Sequence, residues 1–114
     1  MKNKIALAIF LSFFCAIFPV FSKETGKEPV TLTVTAYAYC YHSRTSSGTM
    51  ANTGTVAVDP RIIPIGTKLY IPGYGWGKAL DKGSAIKGNK IDIWFPSVRE
   101  CLNWGIRKVK IKIY

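Results

Sequence analysis

Imidazole is nearly missing from this chain. Its 114 residues contain one histidine, His42, and six acidic residues against sixteen basic ones. A serine or cysteine triad would have only His42 as its base, and His42 sits two positions from Cys40 with no third group evident. One histidine and few cysteines are a poor donor set for zinc, so no metal and no cofactor are expected. A phosphate loop is lacking: Gly73, Gly75 and Gly77 alternate, but no helical pattern follows them. Internal repeats, low-complexity tracts and heptads are absent too, which excludes solenoids and coiled coils.

Long apolar runs are confined to the N-terminus. Lys2 and Lys4 precede an apolar stretch from Ile5 to Val20, and Val20-Phe21-Ser22 fits a small-residue cleavage site. Residues 1–22 therefore read as a signal peptide, and 23–114 as one exported domain located outside the cytoplasm, in the cell wall or periplasm. The apolar run is short for a full span, so no stable membrane insertion is expected after cleavage. Removing Lys2 and Lys4 lowers the formal net charge from +10 to +8. An exported basic domain meets acidic polymers such as bacterial wall more readily than nucleic acid. Two cysteines remain, Cys40 and Cys101, and their even count in an exported chain permits one disulfide between them.

Beyond a polar lead-in (23–29), alternation predicts a strand from Val30, with Leu32, Val34, Ala36 and Ala38 on one face and Thr31, Thr33, Thr35, Tyr37, Tyr39 and Tyr41 on the other. A Ser/Thr/Gly-rich loop follows from His42 to Thr55, then short strands at Thr55–Val58, Thr67–Ile71 and Trp76–Asp81. Ile91, Ile93 and Phe95 alternate with Asp92 and Trp94, so one strand sends three apolar residues inward and an acid and an indole outward. Ser97 and Glu100 form a capping box for one short helix with Val98, Cys101 and Leu102 on its apolar face, stopped at Gly105. A last strand carries Val109, Ile111 and Ile113 inward and Lys108, Lys110 and Lys112 outward. Six short strands and one helix predict a mainly β, compact barrel.

With triads and metals set aside, carboxylate chemistry remains. The aspartates are Asp59, Asp81 and Asp92; of the glutamates, Glu24 and Glu28 lie in the lead-in and Glu100 in the helix cap. Asp59 before a proline and Asp81 before Lys82-Gly83 also suit turns, whereas aspartate in mid-strand is disfavoured by propensity and singles out Asp92. Trp94 suits a sugar ring or a covered core position, and Lys82 and Lys87 suit a carboxylate ligand or a solvated loop.

The runs AVDPRIIPIGTKLYI (57–71) and GYGWGKALDKGSAIKGNKIDIWF (73–95), then Trp104-Gly105, resemble the 3D domain, named for three aspartates. The likeness reaches back through Thr45-Ser46-Ser47-Gly48 to Thr35-Ala36-Tyr37. The family is similar to the catalytic part of membrane-bound lytic transglycosylase A and to small secreted stationary-phase wall proteins. The resemblance implies a six-stranded double-psi β-barrel. It also implies cleavage of peptidoglycan glycan strands between N-acetylmuramic acid and N-acetylglucosamine, leaving 1,6-anhydromuramyl ends. By position its aspartates fall on Asp59, Asp81 and Asp92, with the catalytic acid at Asp92. The usual D-T-G-G-A-I-K-G reads here D-K-G-S-A-I-K-G, with Lys82 and Ser84 substituted. A non-catalytic peptidoglycan-binding module and a two-carboxylate glycoside hydrolase are the alternatives.

Overall fold

The computed structural model describes residues 28–114, so the expected signal peptide lies outside the described residues. The elements are β1 (Val30–Tyr39), β2 (Thr55–Val58), β3 (Lys68–Ile71), β4 (Gly75–Lys82), β5 (Lys90–Trp94), α1 (Val98–Trp104) and β6 (Arg107–Ile113). The strands close into a barrel in the spatial order β1-β5-β2-β4-β3-β6. β1 runs parallel to β5 and β2 parallel to β4, while the other neighbours are antiparallel. The mainly β, six-stranded barrel with one short helix is the architecture the sequence predicts.

The barrel interior is aliphatic. Val34 and Ala36 of β1, Val56 and Val58 of β2, Leu69 and Ile71 of β3, Ile91 and Ile93 of β5, and Ile111 of β6 are all buried. Each set follows the two-residue period of a strand, so closing the barrel buries one face of every strand. Gly77 on β4 permits a close approach: a Cβ there would stand 2.9 Å from Val56 Cγ2 and 3.2 Å from the Gly54 carbonyl oxygen. Of the alternating glycines, Gly77 thus serves strand packing.

The helix departs from expectation. Ser97 does cap it, its side chain accepting from the Glu100 N–H at 3.2 Å, and Gly105 ends it at φ 66°. Yet Val98 and Leu102 are 62% and 76% exposed, and the buried residue is Trp104. Seven residues make about two turns, too short to lay a whole stripe on the barrel. The contact is made by one indole, whose Nε1 donates to the Ala36 carbonyl at 3.2 Å, with the Arg107 guanidinium over its ring at 3.9 Å. Phe95 lies one residue past β5 and packs half-buried against the core.

Outside the barrel wall, the segment after β1 folds back onto β4 and β5. It is held by a bridge between Arg44 and Met50 and by the Ser47 N–H, which donates to the Leu80 carbonyl at 3.1 Å. Tyr39, Ala51 and Trp94 form a small second cluster beneath it.

Candidate active site

Strand β2 brings two aspartates together. Ala57 pairs with Asp92 on β5 and with Asp81 on β4. Val56 and Val58, its sequence neighbours, point into the core, so Ala57 and both partners face outward. Regular alternation from buried Ala79 would send Asp81 inward. The register instead shifts between Val56 and Ala57, so β4 takes up the extra residue Leu80 and Asp81 emerges on the outer face. The two backbones lie two strand spacings apart, about 10 Å, with Ala57 on the strand between them.

Asp92 opens on a groove of about 590 Å³, lined by Tyr37, Tyr39, Ile86, Lys90 and Cys101 among others. Its Oδ1 is buried without a hydrogen-bond partner. Burial disfavours the charged form, and the charge of Asp81 adds to this, so the Asp92 carboxyl is pushed from its ordinary 3.8 up to about 6. Asp81 is fixed by two donors to its Oδ1, the Ser46 and Lys82 backbone N–H groups, both at 2.9 Å. The Ser46 hydroxyl in turn accepts from the Lys82 N–H at 3.1 Å, tying the loop after β1 to the end of β4.

Asp59 stands apart. Its side chain is 2% exposed and clamped by Arg61, with Nε at 3.0 Å from Oδ1 and Nη2 at 2.7 Å from Oδ2. It also accepts from the Arg61 and Gly88 N–H groups, at 3.0 and 2.8 Å. The Arg61 hydrogen bonds, with the backbone donors, hold its carboxyl well below the usual range. Of the three expected catalytic aspartates, Asp59 is therefore a clamp that pins the 83–89 loop, and the repulsion raising Asp92 comes from Asp81 alone. Lys82 and Lys87 are exposed around a separate depression with Asp59 and Arg61, so the groove cation is Lys90 instead.

Trp94 is a further correction. It is 5% exposed, its Nε1 donates to the Tyr41 carbonyl at 3.1 Å, and His42 lies against it at 5.7 Å between ring centroids. It supports the site wall and offers no open face to a sugar. Its strand phase is outward as expected, but the loop after β1 covers it.

Tyr39 was missed by sequence reasoning. It is 8% exposed, and its hydroxyl, like Asp92 Oδ1, is buried with no hydrogen-bond partner. Burial first, then the charges of Asp81 and Asp92, push its phenol well above the ordinary value, so it stays a donor. Alternation marked it only as outward-facing; the signal of interest is its closeness to two carboxylates. Cys40 and Cys101 are free thiols rather than the expected disulfide, but they stand side by side on the groove wall. Burial and the Cys40 thiol raise Cys101 above its usual value. Among the described residues, no group of three or more histidine, cysteine or acidic side chains is placed to hold a metal ion.

A carboxyl pushed up to about 6, on the outer wall of a closed β-barrel and one strand removed from a second, hydrogen-bonded carboxylate, defines a candidate acid–base site. The chain belongs to the 3D domain family, whose model matches residues 54–114. It is 44% identical over 101 residues to the cell wall-binding protein YocH of Bacillus subtilis, covering 81% of this chain and 34% of YocH. It is 43% identical over 101 residues to the putative cell wall shaping protein YabE of the same organism, covering 81% of this chain and 24% of YabE. The chain thus spans about a third or less of these relatives. Among solved structures it resembles MltA from Escherichia coli, whose fold is described as a unique lytic transglycosylase fold, at TM-score 0.52 and 25% identity, covering 64% of this chain and 27% of MltA. A second MltA structure gives TM-score 0.50 at 26% identity, covering 62% and 27%.

Proposed function

We propose that this domain is an exported lytic transglycosylase acting on peptidoglycan, with Asp92 as the acid and then the base. The observation that carries the reading is the Asp92 carboxyl itself, open to a groove yet raised to about 6 by burial and by Asp81. Such a group is about a tenth protonated at pH 7 and can both give and take a proton there. In the reaction, Asp92 transfers its proton to the glycosidic oxygen as the bond from that oxygen to the anomeric carbon of N-acetylmuramic acid breaks. The C6 hydroxyl of the same sugar bonds to the anomeric carbon, and its proton passes to the Asp92 carboxylate. No water is consumed and Asp92 ends protonated again. The attack is intramolecular, so the domain's task is to hold the ring in the reactive geometry. Asp81 keeps Asp92 protonated at higher pH.

The likeness to the MltA fold and the wall-protein relatives support this reading and an extracytoplasmic location. A second reading, a wall-binding module that does not cut, is favoured by the name of YocH. Digestion of purified peptidoglycan followed by mass spectrometry of the released fragments separates them. Anhydro ends are expected. Reducing ends would point to a hydrolase using Asp81 and Asp92 around a water, and no release would leave the binding module.

A further inference from the structure

In strand order, β3 is diametrically opposite β5, the strand that bears Asp92. The outer face on that side is built from two rows. In one, Tyr70 of β3 lies between Trp76 of β4 and Lys112 of β6. In the other, Lys68 lies directly across from Lys78, and its carbonyl accepts from the Tyr114 N–H at 3.0 Å. The result is an interleaved sheet of rings and ammonium groups. Trp76 stands 5.2 Å from Tyr70 and 5.1 Å from Tyr114 between centroids, with Lys68 Nζ 4.5 Å above its ring. Along the neighbouring edge, Lys108, Lys110 and Lys112 face Thr35, Thr33 and Thr31 of β1.

Two features of this face cost stability without a partner. Lys68 and Lys78 are like charges in direct cross-strand register, which is unfavourable. No aspartate or glutamate occurs in β3 or β6, and among the described residues the recorded salt bridge is Arg61 with Asp59, elsewhere. Trp76 and Tyr114 remain 52% and 55% exposed. Beside Trp76 a depression of about 360 Å³ adds Asn52 and Thr53 to Lys68 and Lys78. An indole to stack a pyranose, an amide and a hydroxyl for its oxygens, and lysines for carboxylates make one coherent set.

We propose that this face is a second, non-catalytic binding surface that holds a carboxylate-bearing glycan strand, with Trp76 as its sugar platform and Lys68, Lys78 and Lys112 as its anion contacts. The charge of the face is complementary to peptidoglycan, whose stem peptides carry carboxylates; this identity of the polymer rests on the wall-directed reading above. The placement separates holding from cutting: the barrel can stay attached through one side while the groove of Asp92 faces another strand.

The test is co-sedimentation of the full chain with purified sacculi, with Trp76→Ala and the double variant Lys78→Gln/Lys112→Gln beside the parent. Trp76→Ala is expected to bind about tenfold more weakly, the scale of one aromatic side chain's burial, and the double variant is expected to bind more weakly at low salt and to depend less on salt. The lysine variants relieve a like-charge pair, so their folding is secure even if Trp76→Ala is unstable. Sacculi stripped of phosphate polymers must still bind the parent chain. Unchanged binding by both variants, failure to bind stripped sacculi, or tighter binding to single-stranded DNA than to sacculi each overturn the proposal. Anhydro-end release from short soluble glycan fragments is measured in parallel and is expected to be unchanged in the variants. If the parent chain releases none, the transglycosylase reading fails while the sedimentation result still decides the surface.

Discussion

Replacing Asp92 by asparagine should make the protein more stable at neutral pH and no more stable in acid. The Asp92 carboxyl is raised in the folded state from 3.8 to about 6, burial first and Asp81 second. The folded protein therefore holds the Asp92 proton more tightly than the unfolded chain does. That linkage favours folding fully below about pH 4 and is lost as pH rises through 6, where a charge must be kept in a poorly solvated place. At about 1.36 kcal/mol per pH unit, the rise corresponds to about 3 kcal/mol. The carboxyl keeps part of its solvent contact, and screening reduces this to roughly 1–2 kcal/mol. Asparagine preserves shape, and its amide oxygen can occupy the place of Oδ1. Urea unfolding of parent and Asp92→Asn at pH 4, 5, 6, 7 and 8 measures the difference. The expected gain is near zero at pH 4 and about 1–2 kcal/mol at pH 8, while anhydro-product release is abolished. A gain that is the same at all pH values, or a loss at pH 8, would refute the desolvation argument; retained release would move the acid elsewhere.

Asp59→Asn should act with the opposite sign. The Asp59 carboxyl is held below its ordinary value by Arg61 and backbone donors, so it stabilises the fold above about pH 4, and that contribution is lost as pH falls through the folded value. The variant should be destabilised at pH 7 with the deficit shrinking in acid, and equal stability at pH 7 by thermal melting would count against the clamp. Asp81→Asn should lower the Asp92 value without restoring it fully, because burial is the larger cause. The alkaline limb of the activity profile should move toward acid, and an unmoved limb would make Asp81 a turn residue only. Oxidation should join Cys40 to Cys101, which stand side by side across 61 positions, and stabilise the fold by about 4 kcal/mol; two freely alkylated thiols after mild oxidation would end the idea. Tyr39→Phe removes a buried hydroxyl that has no partner and should raise stability by about 1 kcal/mol; a clear fall in melting temperature would show that the hydroxyl is satisfied.

What the sequence by itself determined was everything that rests on local period and chemistry. Val34 and Ala36, Ile91 and Ile93, and Ile111 alternate with polar residues, and a two-residue period fixes which face is buried before any partner strand is known. Asp92 stood out for the same reason, an acid in mid-strand with no turn to explain it. Ser97 and Glu100 fixed the start of α1 within four residues of chain. The tertiary structure alone decided what depends on register and on cover. A bulge at Leu80 reversed the phase of Asp81 and set it on the outer face beside Ala57, across that residue from Asp92. Arg61, two positions from Asp59, and Gly88, brought in from the 83–89 loop, took Asp59 out of the candidate chemistry. The loop after β1 buried Trp94 and Tyr39, which alternation had placed on an open face. One indole at Trp104 docked the helix that a seven-residue stripe was too short to bury. Alternation tells which way a side chain points relative to its own strand; only the closed barrel, with its bulge and its folded-back loop, determines what it then meets.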